Sequence, residues 1–231
     1  MLIQSLHEWF ETPLGKYLLA REQDYFDYAV ADVFGFNAMQ IGLPQHDFLR
    51  QNRIALRFTV GPEPGVRLRT DPGHLPVESN SIDLAVLPHV LEFSANPHEI
   101  LREVGRVQLP EGQLMVCGFN PRSLWGLRRI MDSERRSFPW CGRFISLSRL
   151  KDWLALLDFE VTGGRLGCYV PPLRQDDWRG RLAFLEKAGD RWWPIAGGVY
   201  FVQAVKRVHG MRVIKPNWND VKATRKSLAP L

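Results

Sequence analysis

Ser79-Asn80-Ser81-Ile82-Asp83-Leu84-Ala85-Val86-Leu87-Pro88-His89, then Asn96-Pro97-His98-Glu99-Ile100-Leu101-Arg102-Glu103-Val104-Gly105-Arg106-Val107, then Leu114-Met115-Val116-Cys117-Gly118-Phe119: these three stretches decide the fold. The run Ile82–Leu87 is almost continuously apolar, as a strand covered on both faces must be. Asn96 is a capping residue, Pro97 suits the first helical position and Glu99 completes a variant of the capping box. Ile100, Leu101, Val104 and Val107 then form one apolar helical face. Pro110-Glu111-Gly112 stops that helix and turns the chain. Leu114–Phe119 is a second buried strand. Strand, helix, turn and strand at this spacing give a right-handed crossover and a parallel pair.

Working outward toward the N-terminus, Val66–Thr70 and Ile54–Val60 alternate and read as two further strands, and Asn37–Gly42 as a first strand closed by glycine. Ser5 to about Phe34 reads helical, with Trp9, Phe10, Leu14, Tyr17, Leu18 and Leu19 near helical spacing, and Pro13 opens a new helix. Toward the C-terminus, Ser146 caps a helix through Leu157. Strands follow near Phe159–Val161 and Gly198–Ala204, and Trp192-Trp193-Pro194 reads as core packing, with a wall of the substrate site as the alternative. The expected organisation is an N-terminal helical segment (1–35), an α/β domain (36–206) with a lid at about 120–145, and a basic C-terminal tail (207–231).

The chain has 231 residues, 45% hydrophobic and 24% charged, which is ordinary for a globular domain and excludes disorder through most of its length. A formal net charge of +5 permits an anionic partner without requiring one. Cys117, Cys141 and Cys168 are far apart and form no C-x-x-C pair, so neither a disulfide framework nor a structural zinc site is expected. No basic, then apolar leader opens the sequence and no apolar run is long enough to span a bilayer, so the cytoplasm is the expected compartment.

From Thr70 to Asn120 the sequence resembles the methyltransferase type 11 group of class I S-adenosylmethionine (SAM)-dependent methyltransferases. The resemblance rests on Asp71-Pro72-Gly73-His74-Leu75-Pro76, the strand starting near Asp83, His89-Val90-Leu91-Glu92, Arg102-Glu103-Val104-Gly105-Arg106 and Pro110-Glu111-Gly112, which agree with the family in order and spacing. The opening Trp9–Leu19 is similar to that of uncharacterised bacterial methyltransferase-like proteins. The resemblance implies a Rossmann-like, mostly parallel sheet flanked by helices, SAM as cofactor and a small-molecule or anionic substrate. By position it implies that Asp71 accepts from the adenine amino group, that His74 and Leu75 lie beside the adenine, and that Pro88 and His89 line the methionine end and the transfer site. Gly42 would turn under the cofactor, all at carboxyl ends of strands. His89 is the candidate base; a half-buried histidine at a helix start is the plainer reading. Asp71-Pro72-Gly73 is likewise a strong turn signal, and Asp83 reads as structural.

Three departures fall in the cofactor half. The family's glycine-rich loop is here Gln40-Ile41-Gly42-Leu43-Pro44-Gln45, with Gln40 where an acid is usual and Pro44 lacking an N–H. The second strand ends Thr59-Val60-Gly61 without the acid that holds the ribose, and Glu63 is the nearest substitute. Only Gly61–Gly65 separate the second and third strands, too few for a parallel crossover of the usual length, so this edge is expected to be remodelled, with room for an antiparallel strand. These losses keep a second reading open: a catalytically inactive binding module. Arg122, Arg128, Arg129, Arg135, Arg136 and Arg143, interleaved with Trp125, Phe138 and Trp140, would with the tail offer it a surface for nucleic acid. A nicotinamide-dependent oxidoreductase is set aside because no G-x-G-x-x-G follows the first strand.

Overall fold

The computed structural model describes residues 5–131, 137–172, 189 and 193–208. Seven strands form one sheet in the order β3-β2-β1-β4-β5-β7-β6: β1 Asn37–Ile41, β2 Leu56–Gly61, β3 Leu68–Arg69, β4 Ile82–Pro88, β5 Gln108–Phe119, β6 Phe159–Gly167 and β7 Val199–Lys206. β1 pairs in parallel with both β2 and β4, and β4 pairs in parallel with β5. β7 is antiparallel to both its neighbours, β5 and β6. The expected mostly parallel α/β sheet is therefore present.

The helices are α1 Leu6–Phe10, α2 Pro13–Ala31, α3 Val90–Phe93, α4 Pro97–Val107, α5 Leu124–Met131 and α6 Leu147–Ala155. Alternation along β4 sorts the core into two layers. Leu84 and Val86 join Trp9, Phe10, Leu18, Phe26 and Val30 of α1 and α2 on one face. Ala85 and Leu87 join Ile100, Leu101 and Val104 of α4 and Leu150 and Leu154 of α6 on the other. α1 and α2 thus cover one face of the sheet and share its core. Local chemistry starts each of them: Ser5 Oγ accepts from Glu8 N–H at 3.1 Å at the start of α1, and at the start of α2 Thr12 Oγ1 accepts from Gly15 N–H at 3.1 Å and Pro13 takes the first position.

Three sequence expectations are corrected. β2 and β3 run parallel, with Val60 opposite Leu68 and Gly61 opposite Arg69. The pair is only two residues long, at the carboxyl end of β2, so the chain need retrace only one residue length rather than a whole strand, and a short loop suffices. An antiparallel edge is not formed. Pro110-Glu111-Gly112 does not end an element: β5 runs through it as an irregularity, with Ile82 opposite Gln108 but Leu84 opposite Gln113, and Glu111 at φ 63° absorbing the extra residues. Trp193 is 63% exposed and does not pack in the core; Trp192 lies outside the described residues. Asp83 is structural as read, its Oδ2 accepting from Phe36 and Asn37 N–H at 2.8 and 2.9 Å.

Candidate functional site

A cleft of about 410 Å³ opens at the carboxyl ends of the central strands. Gly42 and Leu43 after β1, Pro62 and Glu63 after β2, Asp71 and Pro72 after β3, and Pro88, His89 and Val90 after β4 line it. Phe93, Ser94 and Ile100 form a further wall, and Ser5, Leu6 and Phe138 close over it. Ligands of open α/β sheets bind at this end, where loops diverge and backbone groups are free.

Of the cofactor positions expected from sequence, Gly42, Glu63, Asp71 and Pro88 come together here. Gly42 sits at φ 78°, and a β-carbon on it would stand 3.0 Å from Val90 Cγ2. Glu63 folds back toward the end of β2, its carboxylate lying over Gly61. Asp71 accepts from Gly73 N–H at 3.0 Å, and that bond, with His74 nearby, holds its carboxyl below the usual range. Asp71 is therefore an anion at the rim.

The other three lie elsewhere. His74 is exposed, its Nδ1 3.5 Å from Asp71 Oδ2. Leu75 is buried in the core, its N–H donating to Glu103 Oε2 at 3.0 Å. Gln40 is fully buried and faces its own loop. Its Nε2 donates to the carbonyls of Gly42, Leu43 and His46 at 3.1, 3.1 and 2.8 Å, and its Oε1 accepts from Phe48 N–H at 3.0 Å. One amide side chain thus shapes the loop that glycines shape in the resembled family.

His89 is 1% exposed and both its ring nitrogens are engaged. Nε2 lies 2.6 Å from Glu22 Oε1 of α2, and Nδ1 lies 3.0 Å from Glu92 Oε2 of α3. Cys117 Sγ lies 3.6 Å from Nε2. Burial lowers the imidazole pKa, but the Glu22 carboxylate, with Cys117 and Glu92, outweighs it and holds the ring well above its usual value. A base must keep a nitrogen open to the cleft, and His89 keeps none. Glu22 could have been found in the sequence: Leu18, Glu22, Phe26 and Val30 share one stripe of α2, and a carboxylate at a core position demands a partner. Phe138 and the capping Ser5–Leu6 carry no sequence signal for a cleft.

In the stretch expected from sequence to form a lid, Arg128 stacks over Trp140 and Arg129 over Phe144, each 5.2 Å from the ring centroid. Arg128 also donates to the Pro172 carbonyl and Arg129 to the Gly142 carbonyl. Arg135, Arg136 and residues 209–231 of the tail lie outside the described residues. No helix among the described residues is long and apolar enough to cross a membrane.

Sheet order, the two helical layers and the cleft define a class I SAM-dependent methyltransferase fold, and residues 47–116 match the family described as the methyltransferase domain. The chain is 33% identical to the uncharacterized protein YafS of Escherichia coli (strain K12) over 155 residues, 66% of this chain and 65% of that one. It is 28% identical to the demethylmenaquinone methyltransferase of Chlamydia pneumoniae over 83 residues, 34% of this chain and 35% of that one. The matched span thus covers less than two thirds of either relative. A crystal structure of a SAM-dependent methyltransferase from Thermotoga maritima superposes with a TM-score of 0.60 at 19% identity, covering 86% of this chain and 98% of that one. The family match begins at Asp47, after the Gln40–His46 loop.

Proposed function

We propose that the chain is a SAM-dependent methyltransferase acting on a small-molecule acceptor, with the cofactor held in the cleft between Gly42, Glu63, Asp71 and Pro88. The observation that carries this reading is the convergence of two carboxylates, Glu63 and Asp71, with a left-handed glycine at the carboxyl ends of neighbouring strands. The cleft fits such a ligand chemically: carboxylates to accept from hydroxyl and amino groups, a glycine that admits close approach, and apolar walls at Val90, Phe93 and Ile100.

When bound, SAM supplies a sulfonium methyl group for displacement. Glu63 stands in for the missing ribose acid at the end of β2, and Asp71 accepts from an amino group. Phe93 and Phe138, with ring centroids 5.0 Å apart, border the mouth and keep water from the transfer region. His89 positions rather than exchanges protons, since both nitrogens are committed. Catalysis then rests on alignment of donor and acceptor. The free thiols suit a reducing compartment, the cytoplasm.

Calorimetric titration with S-adenosylhomocysteine tests the reading. The wild type is expected to bind in the micromolar range, and Glu63→Gln and Asp71→Ala each to weaken binding about tenfold, the loss of one hydrogen bond to a charged group. A wild type silent at millimolar ligand overturns it.

A further inference from the structure

At the floor of the cleft, which His89 also lines, three side chains from three elements meet in the core: Glu22 of α2, His89 after β4 and Cys117 of β5. We infer that they form a closed site for a zinc-class divalent ion, which staples α2 to the sheet. The cysteine spacing gave no hint of it, because the ligand set uses one cysteine and draws its other members from distant segments.

The geometry is close to what such an ion needs. The ligand atoms all lie within 4.8 Å of one another, and all three residues are buried. Cys117 Sγ is 3.6 Å from His89 Nε2. With zinc bonds of about 2.0 Å to nitrogen and about 2.3 Å to sulfur, the matching tetrahedral edge is about 3.5 Å. Glu22 Oε1 is nearer, at 2.6 Å from Nε2. It must withdraw by roughly 0.7 Å to reach the nitrogen–oxygen edge, a small rotation of its side chain.

Two further observations point to a ligand. Glu22 Oε2 is buried with no hydrogen-bond partner among the described residues, which is rare for a carboxylate oxygen and leaves it available to complete the coordination. Behind the ring, His89 Nδ1 faces Glu92 Oε2 at 3.0 Å, and Glu92 Oε1 accepts from Phe119 N–H. A carboxylate behind the far nitrogen is how metal-binding imidazoles are oriented. His89 is held for this at φ 53°, an uncommon conformation for a side-chain-bearing residue.

Imidazole, thiolate and carboxylate together suit zinc, and cobalt(II) as its spectroscopic stand-in. Uptake releases to solvent the thiol proton of Cys117 and the proton between His89 Nε2 and Glu22. A dication thus replaces two protons, and the net charge of the pocket is unchanged. Because every ligand is buried, loading accompanies folding.

The test uses the full chain produced in zinc-supplemented medium and desalted. About one zinc per chain is expected, with one sulfur neighbour at about 2.3 Å and nitrogen or oxygen neighbours at about 2.0 Å in zinc-edge X-ray absorption. Chain refolded with cobalt(II) is expected to show a thiolate-to-cobalt charge-transfer band, lost in Cys117→Ser and kept in Cys141→Ser. A metal-free wild type, a shell without sulfur, or a band that survives Cys117→Ser each overturns the site. The absorption measurement needs no variant, so the inference stays open to refutation even where Cys117→Ser fails to fold.

Discussion

Gln40 shows how one residue changes meaning between sequence and structure. In the sequence it marks the place of a missing acid; in the fold its amide hydrogen-bonds four backbone groups of its own loop. An amide has both an NH2 that donates to carbonyls and an oxygen that accepts from an N–H, which an ionised carboxylate cannot match. Restoring the family's acid should therefore harm the protein. Gln40→Glu would aim a buried carboxylate at three carbonyl oxygens, and a loss of about 2–4 kcal/mol is expected in urea unfolding at neutral pH. The loss should ease as pH falls and the new carboxyl takes up a proton; a variant as stable as the wild type at neutral pH would refute this account. Gly42→Ala tests the neighbouring turn. A side chain at φ 78° and 3.0 Å from Val90 Cγ2 should cost about 1–2 kcal/mol and also weaken S-adenosylhomocysteine binding, read by unfolding and calorimetry on one preparation. Asp71 and Glu63 were legible because position along the chain fixes which strand end they follow. Glu22 was not tied to His89, because the pair is 67 residues apart and only packing of α2 on the sheet brings them together.

At the scale of elements, α4 reaches back to fix the segment that carries the rim of the cleft. Arg106 donates to the carbonyls of Leu75 and Val77 at 2.8 and 3.0 Å and to Ser79 Oγ at 3.0 Å. Glu103 pairs with Arg106 at 2.8 Å and accepts from Leu75 N–H. The hydrogen bond from Arg106 is the main cause that holds the Glu103 carboxyl below its usual range. A carboxyl whose folded pKa is depressed contributes stability that is present above its unfolded pKa and lost as pH falls toward the folded value. Glu103→Gln should cost about 1–2 kcal/mol at neutral pH and much less well below pH 4, so the two denaturation curves should converge in acid. Parallel curves would assign the effect to packing instead. Element identity was largely readable here because α4 and β4 carry unambiguous periodicity. What escaped reading was pairing: Val66–Thr70 alternates over five residues, yet only Leu68 and Arg69 find a partner strand. Likewise Pro110-Glu111-Gly112 has turn chemistry, yet the neighbouring β4 holds it in register as a bulge. Both outcomes depend on partners far along the chain, which local sequence does not specify.

For the molecule as a whole, the sharpest question is whether the N-terminal segment is an addition or a layer. Its sequence differs in texture from the strands that follow, which suggests an addition. Its packing makes it a layer: Leu6, Trp9, Phe10, Leu18, Phe26 and Val30 are all buried against the sheet. α2 also supports the β1–β2 connection, which has no helix of its own. Phe26 meets Phe48 edge-on at 5.0 Å, and Asn52 Nδ2 donates to the Val30 and Val33 carbonyls at 2.6 and 3.0 Å. At about 2 kcal/mol per large buried side chain, the six account for about 12 kcal/mol of burial, comparable with the whole net stability of a domain. Removal would also leave His89 facing solvent or an empty gap where Glu22 stood. A chain starting at Phe36 is therefore expected to show no cooperative thermal transition by circular dichroism and to bind a hydrophobic dye at neutral pH. A truncated chain that unfolds cooperatively near the wild-type midpoint would make the segment a separable extension, and with it the staple between Glu22 and the sheet would lose its structural purpose.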